Sequence, residues 1–162
     1  MTDAIPALCA DLAAALLERG GMLATAESCT GGRIAGACTD LAGSSQWFER
    51  GFVTYSNEAK SELLGVDPAL IAAQGAVSEV VARAMAFGAV RQSRAQAAVA
   101  VTGVAGPSGG SPDKPVGTVW FGFSVDGRLS SELQHFDGDR HAVRQASVEH
   151  ALRRLLALVR AG

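Results

Sequence analysis

The sequence predicts an α/β fold, a three-layer α/β/α sandwich around a mixed sheet, and three observations carry that expectation. Amphipathic stretches with helical spacing alternate with short apolar runs. One of those runs, QAAVAVTG at residues 96–103, is apolar without a polar alternate, as a strand covered on both faces should be. Asp126-Gly127 separates VGTVWFGFSV from RLSSELQHF, a hairpin signal that puts antiparallel strands into the same sheet.

The elements follow in the order α, β, α, β, α, α, β, β, β, α. Ile5, Leu8, Leu12 and Leu16 recur at helical spacing, and Gly20-Gly21 stops the helix at residues 5–19. MLATA (22–26) is a short apolar strand. From Thr30, TGGRIAGACTDL has a helical pattern that gives way to the polar loop AGSSQ. FERGFVTYS (48–56) contains the second strand, which ends at Tyr55. SNEAKSELLG then opens a helix, with Ser56 or Asn57 as N-cap and Gly65 as stop. DPALIAAQG forms a short helical turn. The helix at 78–93 follows, and its Met85 and Phe87 suit either the core or an oligomer contact. After strand 96–103 come a turn-rich loop, GVAGPSGGSPDKP, and the hairpin. Asp139 caps a last helix whose apolar stripe is Val143, Ala146, Leu152, Leu155, Leu156 and Val159.

A chain of 162 residues is expected to form one domain over 1–162, and no repeat, linker or low-complexity segment divides it. A net charge of −2 leaves no basic footprint for DNA or RNA. No apolar window reaches the roughly 20 residues of a bilayer span. MTDAIPALC lacks the basic start of a signal peptide. Cys9, Cys29 and Cys38 have no metal-type spacing and read as free thiols, which fits a cytoplasmic protein. The three histidines and the scattered carboxylates suggest no metal site.

Four segments carry chemistry-bearing residues. In TAESCTGG (25–32), Ser28 stands where a strand hands over to a helix, and the amides at Thr30, Gly31 and Gly32 are the donors of a helix start. Two readings are open: a nucleophile beside anion-holding amides, or a simple helix cap. Cys29 is a rival nucleophile without a nearby histidine. In TYSNEAKSELLG, Lys60 falls in the first helical turn, where the positive end of the helix dipole lowers its proton affinity, and burial would lower it further. A neutral Lys60 can activate a hydroxyl, and Tyr55 can relay or orient the proton; the alternative is a solvated lysine and a half-buried strand tyrosine. The loop after Val101 leaves the carboxyl end of a buried strand, where open α/β sheets bind ligands, yet it matches no phosphate-loop pattern and also reads as a plain connector. In FDGDRHAVRQ, Arg140 and Arg144 lie one turn apart near the start of a helix, an arrangement suited to an anion or to solvent alone.

Together TAESCTGG, GFVTYSNEAK, GAVSEVVARAMA, AVAVTGVAGPSGG, KPVGTVWFGF and FDGDRHAVR resemble the CinA C-terminal domain family, in the family's order and over about residues 5–160. That family includes stand-alone nicotinamide-nucleotide amidohydrolases. The resemblance implies hydrolysis of the carboxamide of nicotinamide mononucleotide (NMN) to nicotinic acid mononucleotide and ammonia, with no cofactor. It implies Ser28, Tyr55 and Lys60 as catalytic residues. Substrate is expected along Thr30, Gly31 and Gly32, along Thr102, Gly103, Ala105 and Gly106, and at Arg140, with Arg144 as an alternative phosphate holder. A non-catalytic pyridine-nucleotide-binding regulator and a Ser-dependent amidase for another amide are the competing readings.

Overall fold

The structure, a computed structural model, describes residues 3–162. Its elements are α1 (Ile5–Glu18), β1 (Leu23–Glu27), α2 (Arg33–Thr39), β2 (Phe48–Val53), α3 (Asn57–Leu64), α4 (Pro68–Gln74), α5 (Glu79–Arg91), β3 (Ala97–Gly103), β4 (Thr118–Val125), β5 (Arg128–His135) and α6 (Arg140–Ala161). A 3₁₀ turn at Ser44–Gln46 interrupts the segment expected as a polar loop. None of the helices among the described residues is long and apolar enough to cross a membrane.

The five strands form one mixed sheet in the order β2-β1-β3-β4-β5. β2, β1 and β3 run parallel, and β3, β4 and β5 are antiparallel to one another in turn. Helices cover both faces, giving the three-layer α/β/α sandwich. The central strand β3 is buried along nearly its whole length, which is why its sequence lacks alternation.

The two faces are built from different residues. α1, α2 and α6 pack on a face of large side chains, among them Leu23, Val99, Val101, Phe121 and Phe123. On the opposite face α5 packs against Ala24, Ala26, Ala98 and Ala100. Small residues let the helix sit low on the sheet. At Gly122 of β4 any Cβ would collide with the Ala82 carbonyl of α5, and at Gly88 of α5 one would collide with the Leu64 carbonyl of α3. This close approach sets α3, and with it Lys60, against the sheet.

Two expectations need correction, and a choice left open is decided. α2 begins at Arg33 and not at Thr30, because Gly31 and Gly32 take φ values of 59° and 100°, outside the helical region. β2 ends at Val53, so Tyr55 lies in the connector to α3 and is 61% exposed. Met85 is wholly in the core, whereas Phe87 on the next part of the same helix points outward.

Candidate active site

The three parallel strands end at one edge of the sheet. Ser28 follows β1 directly, Thr102 and Gly103 finish β3, and residues 54–56 carry the chain from β2 into α3. This is the crevice at the carboxyl ends of strands where α/β sheets hold ligands. A cleft of about 200 Å³ opens there, lined by Ser28, Cys29, Tyr55, Asn57, Lys60, Ala76, Val77, Thr102, Gly103, Ala105 and Arg140.

Lys60 is the least ordinary side chain in the cleft. It is only 1% exposed. Ser56 caps α3 by accepting the Ala59 amide at 3.0 Å, which places Lys60 one turn in, with its side chain folded back over the connector. Its Nζ lies 3.0 Å from Ser28 Oγ, 3.2 Å from the Thr54 carbonyl and 3.3 Å from the Tyr55 carbonyl. No ion pair among the described residues includes it. Burial pushes its pKa below the ordinary lysine value. Nζ donates to Ser28 Oγ and to these carbonyls, and with no anion beside it the amine gives up no ion pair on losing its charge.

Ser28 is held at the head of a tight turn. Its amide donates to the Val101 carbonyl at 3.0 Å, tying it to the central strand, and its carbonyl accepts the Gly31 amide at 3.0 Å. Glu27, fully buried, accepts from the Thr30 hydroxyl at 2.6 Å and from the Ile34 and Ala35 amides at 2.9 Å each. The first free amides of α2 are therefore capped by a carboxylate from β1. Arg144 reaches in from α6, donating to the Cys29 carbonyl at 3.0 Å and the Thr30 carbonyl at 3.3 Å.

The structure separates the residues expected at the site. Ser28, Tyr55, Lys60, Thr102, Gly103, Ala105 and Arg140 line the cleft. Thr30, Gly31, Gly32 and Gly106 are not among its lining residues. Thr30 is fully buried with its hydroxyl committed to Glu27, and the Gly31 amide is committed to Ser28. The Cys29, Thr30 and Gly32 amides find no main-chain acceptor among the described residues. The Thr102 hydroxyl donates to the Ala76 carbonyl at 3.0 Å, pinning the segment before α5 over the end of β3. Arg140 donates to the Gly106 carbonyl at 2.9 Å and to the Tyr55 hydroxyl at 3.0 Å. The Tyr55 hydroxyl thus meets Arg140, while the Tyr55 carbonyl accepts from Lys60. Cys29 is 5% exposed, and burial pushes its thiol up to about 11, so it stays protonated at neutral pH and is a poor nucleophile.

Sequence reasoning missed the lining by Asn57, Ala76 and Val77, and it missed the cap formed by Glu27. No local pattern marks a strand carboxylate as the cap of a helix that starts six residues later.

Known proteins share this arrangement of chain. Residues 6–159 match the CinA C-terminal domain. The chain is 57% identical over 143 residues to the nicotinamide-nucleotide amidohydrolase PncC of Enterobacter agglomerans, covering 87% of each chain. It is 52% identical over 157 residues to the nicotinamide-nucleotide amidohydrolase PncC of Escherichia coli K12, covering 96% of this chain and 95% of that one. The crystal structure of the competence/damage inducible protein CihA from Agrobacterium tumefaciens superposes with a TM-score of 0.93 at 46% identity, over 98% of this chain and 96% of that one. Sequence and fold agree, and the chain belongs to the CinA C-terminal domain family.

Proposed function

We propose that this protein is a nicotinamide-nucleotide amidohydrolase that hydrolyses the carboxamide of NMN through Ser28, with Lys60 as the base. The observation that carries the reading is the buried, unpaired Lys60 amine 3.0 Å from the Ser28 hydroxyl. The names of its relatives supply the substrate.

Neutral Lys60 takes the Ser28 proton as Oγ attacks the carboxamide carbon. The carbonyl oxygen becomes an oxyanion, and the Cys29 amide, which has no main-chain acceptor and belongs to a residue lining the cleft, is the donor left to stabilise it. Lys60, now an ammonium, returns the proton to the departing nitrogen, and ammonia leaves an acyl-serine. A water molecule, deprotonated by Lys60, attacks the acyl carbon; the proton passes back to Ser28 and nicotinic acid mononucleotide departs.

Binding falls to the outer part of the cleft. Arg140 has spent two of its donors on Gly106 and Tyr55, which orients the guanidinium and leaves others for a phosphate. Arg144 is spent on main-chain carbonyls, so Arg140 holds the phosphate in this reading. The exposed ring of Tyr55 offers its face to the cationic pyridinium. Glycines at 103 and 106 let the chain come close to the ribose.

Ammonia release from NMN by the wild-type protein and by Ser28→Ala tests this reading. The wild type should deamidate NMN, and Ser28→Ala should lose about 10⁴-fold or more in kcat. Undiminished release by Ser28→Ala would reject the mechanism.

A further inference from the structure

Arg144 has no carboxylate partner among the described residues, although it is half-buried. A guanidinium withdrawn from water normally finds an acid. This one spends its donors on two carbonyls of the nucleophile turn, those of Cys29 and Thr30. The turn contains no residue that the cation would neutralise in exchange, so the contact points to an orienting role.

The direction in which it orients the turn follows from peptide geometry. The Cys29–Thr30 peptide is trans, so its C=O and N–H point in opposite directions. Arg144 arrives from α6, which packs on the large-residue face of the sheet. Drawing the Cys29 carbonyl toward that face turns the Thr30 N–H away from it. The Thr30 N–H has no main-chain acceptor among the described residues. The neighbouring Thr30–Gly31 peptide is held the same way: its carbonyl meets Arg144, and its N–H closes the turn on the Ser28 carbonyl at 3.0 Å. From the opposite side Glu27 grips the Thr30 hydroxyl at 2.6 Å. The turn is thus fixed at both ends by charged groups that never enter the cleft.

We infer that Arg144 is a positioning residue: by holding the Cys29 and Thr30 carbonyls it fixes the turn that presents Ser28 beside Lys60. The inference rests on the amidohydrolase reading above. A turn released from Arg144 lets Ser28 drift from its place beside Lys60, and a small misplacement of the attacking oxygen slows the chemical step.

The test is steady-state ammonia release from NMN by Arg144→Ala and Arg144→Lys, with Arg140→Ala beside them. For Arg144→Ala we expect kcat to fall about 10²-fold with KM within about twofold of wild type. Guanidinium chloride at non-denaturing concentration should restore about tenfold of the loss in Arg144→Ala and nothing in Arg140→Ala. Arg144→Lys, which keeps the stem and one donor direction, should be intermediate and also covers the case of a poorly folded alanine variant. An unchanged kcat, a change confined to KM, or a loss that guanidinium leaves untouched would each overturn the inference. Should the wild type release no ammonia, the amidohydrolase reading fails on its own. Hydrogen exchange then decides for Arg144: faster exchange of amides 29–32 in Arg144→Ala at an unchanged Tm supports the orienting role, and unaltered exchange rejects it.

Discussion

The inner and outer parts of the cleft differ as sharply as two parts of one site can. Ser28 and Lys60 are 8% and 1% exposed, and each is tied to main chain of the parallel strands or their extensions. Tyr55 is 61% exposed, and with Arg140 it forms a rim held by two side-chain hydrogen bonds. The difference teaches what each part needs. Proton transfer needs an amine that water cannot keep charged, and only the interior supplies that. Recognition of an anionic, soluble ligand needs donors that meet it at the surface.

The largest break in this contrast comes from the inner part. Lys60→Met retains the bulk of the stem and removes the proposed base; kcat for NMN deamidation should fall by about 10³-fold with KM little altered. Lys60→Arg should be no better, because a guanidinium does not give up its proton. Recovery of activity in the arginine variant would show that position 60 acts by charge alone.

The rim should respond in the other parameter. Arg140→Ala is expected to raise KM for NMN by about 10- to 100-fold while leaving that for the phosphate-free riboside unchanged. Tyr55→Phe removes only the hydroxyl that Arg140 holds, and its effect should be a few-fold at most. A loss in Tyr55→Phe as large as that in Lys60→Met would move Tyr55 from the rim into the proton path.

The smallest effect, and the one that sharpens the contrast most, is pH. In the proposed mechanism Lys60 acts as a neutral amine, and burial lowers its pKa. Activity should therefore rise with pH along an acid limb, and that limb should lie below the ordinary lysine value of about 10.4. A pH–rate profile of kcat/KM reads it directly. An acid limb at or above the ordinary value would show that Lys60 is charged in the free protein.

Much of this molecule is legible in its sequence because local physics decides it. Gly20-Gly21 and Gly65 stop helices, Asp126-Gly127 turns a hairpin, and the featureless apolar run around Val99 marks a strand buried on both sides. Each signal is complete within a few residues of itself. The start of α2 was misjudged for the same kind of reason: TGG followed by a helical pattern does not reveal that both glycines take positive φ. The turn they form is flanked by contacts from Glu27 and Arg144, which lie outside the segment.

The sequence alone determined the order of elements, the mixed sheet, and which residues could do chemistry, since spacing, turns and side-chain type are properties of the chain itself. Tertiary structure alone decided what those residues do. It placed Ser28 within reach of Lys60 across 32 positions of sequence, dried the amine, gave Tyr55 to Arg140, and spent Arg144 on main-chain carbonyls. Desolvation and hydrogen-bond partners depend on what packs against a residue from elsewhere in the chain, and no local pattern encodes that.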